Sequence, residues 1–98
     1  MILNASKCIV NKQVIECDKK DMVCVIEPDD DFITFSCPVA LQNIHIKNIH
    51  EIGFIKNTYD IVAFDVEEHR MMIFTFTELS HARIKEWVGF KRTRYLNR

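Results

Sequence analysis

From about Lys7 to Phe76 the chain reads as short apolar runs separated by charged or proline-containing breaks, and from Glu78 the apolar spacing becomes helical. The first run is Cys8-Ile9-Val10 through Val14-Ile15, interrupted near Asn11, and it leads into a polar turn at Asp18-Lys19-Lys20-Asp21. Met22 to Ile26 forms a second run, apolar on both faces. It is closed by Pro28-Asp29-Asp30-Asp31, where proline presets φ and aspartate hydrogen-bonds its own backbone. Phe32 to Cys37 is a third strand, stopped by Pro38, and the alternation in Ile44-His45-Ile46 predicts a short fourth. Ile49 to Ile55 is the fifth, with Gly53 suggesting a bulge or a close backbone approach. Ile61 to Val66 and Met71 to Phe76 follow as the sixth and seventh, joined by a charged hairpin loop at Glu67-Glu68-His69-Arg70.

Thr77 is placed to cap a final helix. On a helical wheel Leu79, Ile84, Trp87 and Val88 fall on one side, and His81, Lys85 and Glu86 on the other. Two endings fit: Gly89 as the residue past the end, or continuation through it to about Arg92.

Short strands with brief turns predict an antiparallel meander rather than βαβ units. One helix cannot shield both faces of a seven-stranded sheet. The expectation is therefore a sheet curled into a barrel or an orthogonal sandwich, with the helix plugging one open end and some apolar surface left for a partner.

Ninety-eight residues, 48% of them apolar, with two Gly and two Pro, suit a single folded domain. No apolar run reaches the length of a membrane span, and Met1 to Ser6 lacks the basic and apolar regions of a secretory signal, so an intracellular setting is expected. The thiols of Cys8, Cys17, Cys24 and Cys37 include no C-x-x-C pair. They read as reduced, partly buried core residues rather than metal ligands, and neither metal nor cofactor is expected. Net charge is −1, but residues 83–98 hold six cations against Glu86 alone. Lys91, Arg92, Arg94 and Arg98 make a basic tail over about 91–98, either solvated or meeting an anionic partner.

Seven strands followed by one helix carrying Ile84-Lys85-Glu86-Trp87-Val88 resembles the pleckstrin-homology-like superfold, in which a Trp follows an acid about three turns after the last strand. Val39 to Ile52 is similar to the I-x-I-x-x-I passage that leads into the fifth strand of GRAM-like members. One departure is Lys91, where such domains carry an apolar residue four after the Trp; Phe90 stands beside it. The resemblance implies a groove between the fifth strand and the helix in which a peptide adds as an extra strand. Its walls would be Ile52, Phe54 and Lys56 on the strand, and Arg83 and Phe90 on the helix, unless Ile52 and Phe54 fill the core instead.

Four functional readings compete. The resemblance offers phosphoinositide or membrane binding, but Met22 to Glu27 has no Lys or Arg and Asp29-Asp30-Asp31 repels phosphate. Nucleic-acid binding would rest on Lys91, Arg92, Arg94, Tyr95 and Arg98, against an acidic body. Catalysis has no assembled set: His45, His50, His69 and His81 show no ligand spacing, and there is no glycine-rich phosphate loop. A non-catalytic adaptor or scaffold module that binds a protein or peptide is the leading reading, with a homodimer through an apolar sheet face as a further one.

Overall fold

The computed structural model describes residues 1–96. It is mainly β, with nine strands in two antiparallel sheets and one C-terminal helix. The strands are β1 (Ile2–Asn4), β2 (Lys7–Val10), β3 (Gln13–Val14), β4 (Val23–Ile26), β5 (Phe32–Cys37), β6 (Ala40–His45), β7 (Ile52–Phe54), β8 (Asp60–Asp65) and β9 (Arg70–Thr75). The helix, α1, spans Glu78–Leu96. The first sheet runs β1-β4-β5-β6 and the second β3-β2-β9-β8-β7.

The chain passes from one sheet to the other at Ala5-Ser6. The Ala5 N–H still bonds Met22 O in the first sheet at 2.9 Å, and the Ser6 N–H already bonds Thr75 O in the second at 2.8 Å. Ala5 is fully buried, so a larger side chain would force the two sheets apart at this corner. The inner faces meet in one core. Leu3, Cys24, Ile33 and Phe35 come from the first sheet, and Cys8, Ile61, Met72 and Phe74 from the second. The Phe35 and Phe74 rings lie 5.5 Å apart.

Several expected boundaries move. The first run is a hairpin, β2–β3, turned over Asn11 and Lys12 at φ 48° and 72°, since a two-residue loop needs positive φ at both positions to match strand twist. β1, too short and too near the terminus to show alternation, was not expected. The fourth strand starts at Ala40, directly after a Pro38-Val39 turn that sets Cys37 opposite Ala40. Ile46–Glu51, expected to lie partly in strands, is 3₁₀ structure with a kink at Asn48, started by His45 Nδ1 accepting from Lys47 N–H at 3.0 Å. Gly53 makes no bulge: it pairs in register with Val62, and a Cβ there would sit 3.7 Å from Val62 Cβ, an ordinary contact.

Thr77 Oγ1 accepts from the Ser80 N–H at 3.2 Å, capping α1. The helix then runs through both Gly89 and Arg92 to Leu96. Its buried stripe is Ile84, Trp87, Val88 and, one turn on, Lys91; Leu79, expected on that side, is exposed. No helix of the described residues is long and apolar enough to cross a membrane.

Candidate functional site

Trp87 organises the helix end of the molecule. Its indole closes the core, and its Nε1–H donates to Glu27 O at 2.9 Å, holding the start of the β4–β5 turn against α1. One turn later Lys91 completes the clamp. The basic-tail expectation fails at this residue, because Lys91 is fully buried. Its ammonium donates to Pro28 O at 2.7 Å and to Asp31 Oδ1 at 3.3 Å, and lies 5.5 Å from the Trp87 ring centre. A buried charge survives only when paired and hydrogen-bonded, and here a carbonyl, a carboxylate and an aromatic face supply that environment. The lysine stem thereby does the packing that an apolar side chain would do.

The clamp leaves an open groove of about 760 Å³ between α1 and the β1–β4 end of the first sheet. Ile26 and Trp87 form its buried floor, Met1 and Pro28 one wall, and Arg83 and Phe90 the other. Arg83, Glu86, Phe90 and Thr93 line it at steps of three and four beside the core-facing Trp87, and Lys85 and Gly89 line it as well. Gly89 adds width, since a Cβ there would touch nothing within 4 Å. Phe90 stands 59% exposed, and an Arg83 guanidinium nitrogen reaches Met1 Sδ at 3.8 Å. The Met1 amine donates to Ile26 O at 2.7 Å and pairs with Glu27. The volume falls in the range that accepts a few side chains of a ligand.

The wall expected from the fifth strand is elsewhere. Ile52 is buried in the core. Phe54 meets His81 edge-on at 5.6 Å, with the Lys85 ammonium 6.0 Å from its ring, so the space between β7 and α1 is filled by the protein's own side chains. Lys56 lies beyond the end of β7 and is exposed. Of the expected residues, only Arg83 and Phe90 line the groove. Arg92 and Arg94 are exposed on α1 outside it, and Arg98 lies outside the described residues. Met1, Ile26 and Pro28 were missed. Nothing local marks them, although the spacing of Arg83, Glu86, Phe90 and Thr93 was available as a second helical stripe.

His81, expected on the outer side of the helix, sits between Phe54 and Tyr59, whose ring is 5.7 Å away. Burial and the nearby Lys85 ammonium lower its pKa, with Asp60 opposing them. All four cysteines are free thiols. Burial, with Cys37 and Cys17 beside it, pushes the Cys8 thiol up to about 12, and burial also raises Cys24. Among the described residues no group of three or more His, Cys, Asp or Glu side chains is placed to hold a metal ion.

Comparison of the chain with protein-family models, with curated proteins and with solved structures returned no match.

Proposed function

We propose that this chain is a non-catalytic binding module of the pleckstrin-homology-like type that engages a segment of another protein, and that its recognition site is the groove beside α1 rather than the strand–helix cleft of β7. The observation that carries this reading is the open apolar groove of about 760 Å³, with Trp87 on its floor and Phe90 on its rim. The order of strands, with the chain bending between two sheets before a closing helix, supports the fold-type assignment. The occupant would be a short segment with one or two large apolar side chains. Each contributes about 1.5–3 kcal/mol when buried, so one or two supply about 1.5–6 kcal/mol of the ~8 kcal/mol that micromolar binding needs, and the expected affinity is weaker than micromolar. Four free thiols suit a reducing, intracellular setting.

Selection of a random displayed peptide library on the protein, followed by titration read through Trp87 fluorescence, tests the proposal. Selected peptides should shift the emission of the single tryptophan. Phe90→Glu should weaken them about tenfold or more while leaving the circular dichroism unchanged, because Phe90 is outside the core. Peptides that bind the folded Phe90→Glu and Arg83→Glu variants as well as the parent would remove this groove as the site.

A further inference from the structure

The outer face of the first sheet stands open to solvent. Two cross-strand rows cross it, one from Ile2 to Asn43 and one from Asn4 to Leu41, and Phe32 lies beside His45 at one end. In a chain where 28% of residues are charged, none of the outward positions on these four strands is Asp, Glu, Lys or Arg. Ile2, Leu41 and Phe32 are 67%, 58% and 45% exposed. The outer face of the second sheet differs, since its rows include Lys7 and Asp60.

The polar side chains of the first face are largely satisfied within the chain. Asn4 Nδ2 donates to Lys19 O at 2.7 Å, Thr34 Oγ1 donates to Asn43 Oδ1 at 2.9 Å, and His45 Nδ1 accepts the Lys47 N–H. The His45 ring meets Phe32 edge-on at 4.9 Å. A polar group that already has its hydrogen bond loses little when water is removed, so the face can be buried at low desolvation cost.

We propose that this face is the contact surface of a symmetric homodimer in which two copies stack their first sheets. A charge-free surface is best matched by another one, and the face is its own match: across a two-fold axis no like charges meet. Aligned sheets pack about 10 Å apart at about −30°, which the mixture of Val23, Val25 and Leu41 with small Thr34 and Ser36 permits. Four strands at ~4.8 Å and about five residues at ~3.4 Å give a face on the order of 20 by 17 Å. That is about 340 Å² per copy, well under the ~800 Å² per partner of a standard interface, so the dimer is a weak one, with Kd no tighter than about 10–100 μM.

Sedimentation velocity from about 5 to about 500 μM tests this. The parent chain should pass from monomer to dimer across that range. Leu41→Glu should raise Kd about tenfold or more, because each copy then buries a carboxylate against an uncharged face that offers it no cation. Leu41 is bound to the rest of the fold through its carbonyl, which accepts from the Arg70 guanidinium at 2.7 Å, so the substitution leaves that bond in place. Leu79→Glu, at a residue 62% exposed on α1, should leave the dimer unchanged. Ile2→Glu reads the same contact independently and should act like Leu41→Glu. A chain monomeric throughout, a dimer indifferent to both Leu41→Glu and Ile2→Glu, or one weakened equally by Leu79→Glu would overturn the proposal.

Discussion

Replacing Lys91 separates the two roles that this buried side chain combines. Lys91→Ala removes three methylenes from a fully buried stem, about 2–2.5 kcal/mol at ~0.8 kcal/mol each. It also removes the charged hydrogen bonds to Pro28 O and Asp31, worth about 1.5–3 kcal/mol, and the cation facing Trp87. Against this stands the relief of no longer burying an ammonium, so the net expectation is a loss of about 3–4 kcal/mol. Lys91→Met keeps most of the stem and places a thioether on the Trp87 face, so it should lose only about 1–2 kcal/mol. Urea unfolding followed by Trp87 fluorescence measures both, since the chain has one tryptophan. A double-mutant cycle of Lys91→Met with Asp31→Asn should give a coupling of about 1 kcal/mol, small because the Asp31 side chain is 29% exposed. Lys91→Ala and Lys91→Met equally destabilised would refute the packing half of this reasoning. A Lys91→Ala within about 1 kcal/mol of the parent would refute the burial itself.

Trp87→Phe should cost about 1–2.5 kcal/mol in the same urea assay, read by circular dichroism, through the lost bond to Glu27 O and the volume deficit, whereas Trp87→Ala should cost about 3–5 kcal/mol. His81 should make stability pH-dependent in a defined direction. Its folded pKa is lowered from 6.5, so the contribution is complete above that value and is lost as pH falls through it toward the folded pKa, where the unfolded chain binds the extra proton. The urea midpoint should therefore fall between pH 7.5 and pH 5.5, and a His81→Gln variant should show a smaller fall; an identical pH dependence in the variant would count against this assignment.

The secondary-structure class was legible from the chain because it rests on local periodicity. Short apolar runs over residues 32–37, 61–66 and 71–76, bounded by turn residues, and the change of spacing at Glu78 are local signals that hold whatever lies opposite. The Thr77 cap and burial of Trp87 were legible for the same reason. What lies opposite was decided only by tertiary structure. Whether Ile52 faces core or groove depends on which strand edge α1 approaches, and no residue near Ile52 encodes that. Lys91 reads locally as one cation in a basic tail. It is buried because the turn at Glu27–Asp31, some sixty residues earlier, presents two carbonyls and a carboxylate to α1. The groove beside them exists because Met1, Ile26 and Pro28 arrive from a distant part of the chain. The charge-free face of the first sheet likewise becomes a surface only when four separate strands are set in register, since strand pairing converts a scattered set of uncharged residues into one contiguous patch.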